Sequence, residues 1–120
     1  MSKLADEPAD VNTLIMEERE FNALADAMLR RLEDALEASG AELDLEVKPG
    51  GVLELEFDDG SKIIINRHTA AREIWIAARS GGYHFRPEGE RWIASRDGAE
   101  LLAVLARCIQ EQSGHTVRLA

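Results

Sequence analysis

Apolar residues recur in steps of three and four at Phe21, Leu24, Met28, Leu32 and Leu36, the spacing of one helix face. The pattern predicts an amphipathic helix over about residues 14–38, with Asp26, Arg30, Glu33, Asp34 and Glu37 on the opposite side. Asn12 or Thr13 is placed to cap it and Ser39-Gly40 to end it. The period then changes to two. Leu43, Leu45 and Val47 alternate with Glu42, Asp44 and Glu46; beyond Pro49-Gly50-Gly51, Leu53, Leu55 and Phe57 alternate with Glu54 and Glu56. Both runs read as strands with one apolar and one acidic face, followed by a hairpin turn at Asp59-Gly60. A third strand is expected over 61–66 with Ile63 and Ile65 inward, and a fourth over 73–78 with Ile74 and Ile76 inward and Trp75 outward. Short strands follow around Tyr83-His84-Phe85-Arg86 and Arg91-Trp92-Ile93-Ala94-Ser95, each between glycine-bearing turns. Helical spacing returns at Leu101, Leu105, Cys108 and Ile109, predicting a second helix over about 99–112 capped by Asp97. Residues 116–119 are expected to run extended and dock on the helices.

Helix, five or six short strands, helix: this order predicts an α+β fold, a two-layer α/β sandwich in which both helices cover one face of an antiparallel β-meander. The other sheet face is then solvated and carries Asp44, Glu46, Glu54, Glu56, Lys62, Asn66, Glu73, Trp75 and His84. Residues 1–15 show no period and are expected to form a flexible N-terminal extension, with a single domain over 16–120.

Charge sharpens this picture. Residues 1–59 hold 17 Asp/Glu against 5 Lys/Arg, while 60–120 hold 6 against 9, within a formal net charge of −9. Such segregation points to a face that meets cations or a basic partner. It argues against nucleic acid or an anionic membrane as partner, because phosphates demand Lys and Arg. No apolar run approaches the roughly 18 residues of a membrane span, and the first residues lack a signal-peptide core, so a cytoplasmic protein is expected. The single cysteine, Cys108, sits among Leu101, Leu102, Val104, Leu105 and Ile109 and reads as a buried thiol, not a nucleophile.

The carboxylates are the first candidate chemistry. Glu33 and Glu37 lie one helical turn apart, Asp34 is beside them, and the next strand opens with Glu42 and Asp44. Like charges at this spacing cost roughly 0.2–0.5 kcal/mol per pair, a small penalty that a bound cation would remove. All-carboxylate ligands on an exposed ridge suit hard, hydrated cations and correspond to micromolar-to-millimolar affinities, about −8 to −4 kcal/mol. A solvated polar face explains the same residues. The second candidate is Trp75, a large indole on the polar face with Asn66 and Arg67 expected nearby; such a residue is a binding hot spot or a cover for neighbouring strands. His68, His84 and His115 share no metal-ligand spacing, no phosphate loop occurs, and Ser61, Ser80 and Ser95 lack a nucleophile context. An enzyme is not expected.

The stretches Gly60-Ser61-Lys62-Ile63-Ile64-Ile65-Asn66-Arg67, Ile74-Trp75-Ile76-Ala77, Ser80-Gly81-Gly82-Tyr83-His84-Phe85 and Trp92-Ile93-x-x-Arg96-Asp97-Gly98 resemble, in order, the bacterial frataxins (CyaY-type proteins). Glu20-Phe21-x-x-Leu24-Ala25-Asp26 and Gly50-Gly51-Val52-Leu53 fit as well, so the likeness covers the chain from about residue 16 onward. It implies the same sandwich and a role in iron–sulfur cluster assembly: weak binding of Fe2+ or Fe3+, and docking on a cysteine desulfurase–scaffold complex to tune its rate. The positions matching the family's iron residues are Glu33, Asp34, Glu37, Glu42 and Asp44, with Asp26 at their flank. Those matching its docking surface are Trp75 and Asn66, joined by Arg67 and by the ridge residues Glu33, Asp34 and Glu37. A monomer in the absence of iron is implied. The chain also departs from the pattern. The loop 38–41 is shorter and less acidic, the segment before Glu17 has no counterpart, and Glu54 and Glu56 add acid that the family does not require. A metal-independent acidic module that modulates a basic partner is the alternative. An iron oxidase is disfavoured, because no Glu-x-x-His pair occurs on helices.

Overall fold

The chain was analysed as a computed structural model that describes residues 16–119; the expected extension over 1–15 and the caps Asn12 and Thr13 lie outside the described residues. Helix α1 spans Glu18–Ala38 and is followed by strands β1 (Asp44–Lys48), β2 (Val52–Glu56), β3 (Lys62–His68), β4 (Glu73–Ala78), β5 (Gly81–Glu88) and β6 (Arg91–Ala94), then helix α2 (Leu101–Ser113). The six strands form one antiparallel sheet in chain order. The expected α+β meander sandwich is the observed architecture, with six strands.

Phe21, Ala25, Met28, Leu29, Leu32 and Leu36 of α1 and Leu101, Val104, Leu105, Cys108 and Ile109 of α2 are buried together with Leu53, Leu55, Ile63, Ile65, Ile74, Ile76 and Phe85 of the sheet. Both helices therefore share one sheet face. Phe21 meets Trp92 edge-on, ring centroids 5.9 Å apart, which makes Trp92 a core residue. Leu119 is buried in the same cluster and Val117 packs on it, so the chain beyond α2 docks as expected.

Four details differ from the sequence reading. Met16 and Glu17 are not helical, so α1 begins at Glu18. Leu24 is 40% exposed, because the core-facing stripe runs through Ala25 and Leu29 instead. Val47 is 57% exposed: β1 is an edge strand with only β2 beside it, and its apolar side is incompletely covered. Asp97 does not cap α2. Its Oδ1 accepts the Ala99 N–H at 3.0 Å, closing a local turn; Glu100 then bridges back to Ile93, which holds the chain extended until Leu101.

Gln112 is the one buried polar side chain among the described residues. Its Oε1 accepts the Arg79 N–H at 2.9 Å, and its Nε2 donates to Ser61 Oγ at 3.0 Å and the Lys62 carbonyl at 3.2 Å. One amide thus ties the end of α2 to the β2–β3 and β4–β5 turns. Gln112→Ala strands these groups in a protein interior, where each unsatisfied polar group costs about 1–3 kcal/mol. Chemical denaturation is expected to show a loss of about 2–4 kcal/mol.

Candidate functional site

Glu33, Asp34 and Glu37 occupy the last two turns of α1, and Glu42 and Asp44 the entry to β1. Asp34, Glu37, Glu42 and Asp44 are exposed and Glu33 is half-buried. Among the described residues, no group of three or more His, Cys, Asp or Glu side chains converges closely enough to hold a metal ion. These carboxylates are therefore separate oxygen donors at the end of α1 and the entry to β1, and they do not form a closed cage. Glu42 leans toward the far end of α2, where its Oε1 lies 3.8 Å from His115 Nε2.

Asp26 and Arg67 belong together. Ile63, Ile65 and Arg67 alternate onto the helix side of β3, so Arg67 reaches α1 and pairs with Asp26 at 2.6 Å. It does not share a face with Trp75, as the period of two requires. Gly51 makes the arrangement possible: its φ is +79°, and a Cβ there would sit 3.0 Å from the Arg67 Cβ. Asp26 is thus matched by a guanidinium, unlike Glu33, Asp34, Glu37 and Asp44.

The opposite sheet face holds a feature that sequence reasoning missed. Trp75 stacks against His68 on one side, with centroids 3.8 Å apart and planes 12° from parallel, and against His84 on the other at 4.3 Å and 11°. The rings come from β3, β4 and β5, whose spacing of about 4.8 Å lets upright rings stack across the strands. Glu73 Oε1 accepts the Trp75 Nε1–H at 2.7 Å and lies 3.8 Å from His84 Nδ1. Asn66 is directly opposite Trp75 in the β3–β4 register. Ending β3 at Asn66 concealed His68; continuing the alternation two residues further puts it on the Trp75 face, opposite Glu73.

A family model for the frataxin-like domain matches residues 14–115. The chain belongs to the frataxin family. Its relatives include the iron-sulfur cluster assembly protein CyaY of Dechloromonas aromatica, 54% identical over 104 residues (87% of this chain and 99% of that one). The protein of the same name from Cupriavidus taiwanensis is 51% identical, covering 82% and 92%. Among solved structures, the frataxin from Psychromonas ingrahamii superposes with a TM-score of 0.81 at 35% identity, covering 88% of this chain and 99% of that one. Trimeric frataxin from the yeast Saccharomyces cerevisiae, complexed with ferrous iron, does so at 0.59 and 27% identity, covering 82% and 88%.

Of the two extra acids on β2, Glu54 has a role within the sheet. Glu54 is clasped by Lys48 Nζ at 2.8 Å and Lys62 Nζ at 3.0 Å, one from each neighbouring strand. Hydrogen bonds from Lys48 and then Lys62 hold its carboxyl below the ordinary glutamate range, and Glu54 in turn raises both lysines. A carboxylate depressed in the folded state contributes stability above the unfolded-state range and loses it as pH falls through the folded value. Thermal unfolding midpoints measured downward from neutral pH are expected to fall less steeply in Glu54→Gln than in the parent. Cys108 is buried as expected; burial pushes its thiol up, partly opposed by Ser80 Oγ at 3.8 Å.

Proposed function

We propose that this frataxin-family protein binds Fe2+ or Fe3+ loosely along Glu33, Asp34, Glu37, Glu42 and Asp44, and regulates a cysteine desulfurase–scaffold complex by docking through that ridge and the Trp75–Asn66 face. The observation that supports this reading is the set of unpaired carboxylates at the α1 end and the β1 entry. None of Glu33, Asp34, Glu37 or Asp44 has an ion-pair partner among the described residues, although the fold supplies one for Asp26. Unmatched carboxylates that repel one another gain from any cation that spans them. The protein acts in the cytoplasm as a monomer without iron, and contributes binding, not catalysis. The names of its relatives support the assembly role.

An NMR titration tests the metal half. Fe2+ is expected to broaden, and a diamagnetic trivalent ion to shift, amides of the α1 end and the β1 entry; a response confined to other surfaces would remove the ridge from consideration. The absence of a three-donor cluster among the described residues favours a second reading, in which the same surface engages a basic partner with no metal. Partner affinity measured with iron and with chelator separates the two: iron dependence supports the first, indifference the second.

A further inference from the structure

Where β6 stops short of β5, the edge of the sheet holds a cavity of about 260 Å3, well apart from the acidic ridge. Strand lengths create it. β6 ends at Ala94, opposite Phe85, so Gly82, Tyr83 and His84 of β5 run on without a β6 neighbour. The chain folds instead into a tight turn. Gly98, at φ +76°, donates its N–H to the Ala94 carbonyl at 2.8 Å, and the Ala94 N–H reaches the Ala99 carbonyl at 2.8 Å. α2 supplies the facing wall through Val104 and Arg107. Tyr83 and Phe85 pack on the helix side of the sheet, so the hollow lies in the helix layer and not on the face that carries Trp75.

Phe85, Ala94 and Val104 give this cavity an apolar floor, and Arg96 and Arg107 give it charge. The Arg107 guanidinium lies 5.6 Å from the Tyr83 ring centroid, and the Tyr83 hydroxyl is 2.9 Å from Ser80 Oγ, so the cation is ordered before any ligand arrives. Its ion pair with Glu111, at 3.9 Å, is a surface contact of little strength. Arg96 has no ion-pair partner among the described residues. Asp97 also lines the cavity, but its Oδ1 already accepts the Ala99 N–H at 3.0 Å. Two guanidiniums against one carboxylate make the lining net positive in a chain of formal net charge −9. We propose that the cavity binds a small organic carboxylate, its carboxylate group on Arg96 and Arg107 and its hydrocarbon body on Phe85, Ala94 and Val104. Guanidinium matches a carboxylate bidentately, and the apolar floor gains from any hydrocarbon that displaces water. A volume just under the roughly 300–1,000 Å3 of drug-sized pockets limits the ligand to metabolite size. Neither iron nor the partner complex takes part.

NMR titration of the full chain with sodium hexanoate, and separately with inorganic phosphate, tests it. Hexanoate is expected to shift the amides of Tyr83, His84, Phe85, the 95–99 turn and Arg107 saturably, and phosphate to bind there at least about tenfold more weakly. Arg96 and Arg107 are exposed, so Arg96→Gln and Arg107→Gln leave the core intact and the unfolding midpoint close to that of the parent. Each is expected to weaken hexanoate at least about tenfold, or 1.4 kcal/mol. Should one variant not fold, the other decides the matter. Shifts that do not saturate, shifts centred on another surface, or parent affinity in either folded variant overturn the site. Phosphate binding as tightly as hexanoate overturns the assignment to an organic carboxylate.

Discussion

Replacing Glu33, Asp34 and Glu37 together by lysine is expected to lower affinity for the desulfurase–scaffold complex at least a hundredfold, about 2.7 kcal/mol, and to abolish the iron response of the α1 end, with the fold intact. The triple change moves the formal net charge from −9 to −3, each substitution adding two units. Close charge pairs across interfaces couple by about 1.5–7 kcal/mol, so three reversals in one strip exceed the stated loss unless the partner avoids the ridge. Stability is expected to hold or increase. The last turn of α1 carries no basic residue, and a cation near a helix C-terminus contributes about 0.3–1 kcal/mol. The Glu33–Glu37 repulsion also disappears. Calorimetry or surface-based binding at two salt concentrations, with a thermal melt of the same sample, checks both halves. A variant that binds like the parent would take the ridge out of the interface. A variant that binds poorly because it has unfolded is recognised by its melt.

Opposed signs of these two effects would set binding against stability at the ridge. Acid clustered at the C-terminal end of a helix works against the helix dipole and against itself, and local stability alone gives no reason for it. Glu54 is the contrasting case. It adds to the same acidic tally in the sequence, but two lysines on adjacent strands clasp it, so it serves the sheet. Asp26 is similar, held by Arg67 against a hairpin that only Gly51 permits.

This distinction marks where sequence reasoning reached and where it stopped. Periods of 3.6 and 2 placed both helices, the strand order and the face of Trp75, because one-sided burial imposes those spacings wherever an element covers a core. The same logic failed at edges. Val47 has the apolar identity expected of an inward residue, yet no element lies over the free side of β1 to bury it. Asp97 has the identity of a cap, but capping depends on where helical geometry begins, and the bridge from Glu100 to Ile93 delays that point. Pairings across strands were the least legible. Lys48–Glu54–Lys62 and His68–Trp75–His84 each need the register of three strands, which alternation within one strand does not supply. The ring stack is legible in part, since alternation puts Trp75 and His84 on one face and only the length of β3 hides the third ring.

Trp75→Ala is expected to weaken docking by about 2–4 kcal/mol, thirtyfold or more in Kd, the range of an aromatic hot spot at the centre of an interface. The cost to folding is smaller. The indole lies outside the hydrophobic core, and its removal sacrifices two stacking contacts worth about 0.5–1.5 kcal/mol each. Trp75→Phe separates the roles of the ring. Phenylalanine keeps an aromatic plate between His68 and His84 but cannot donate to Glu73. If the partner reads the stacked edges, Trp75→Phe retains most of the affinity; if it reads the indole N–H after breaking the Glu73 bond, Phe is as damaging as Ala. Equal losses in the two variants would therefore reassign Glu73 from a residue that holds the ring in place to one displaced on binding. Parent-like binding in Trp75→Ala would show that this face of the sheet takes no part in docking, leaving the acidic ridge as the whole of the interface.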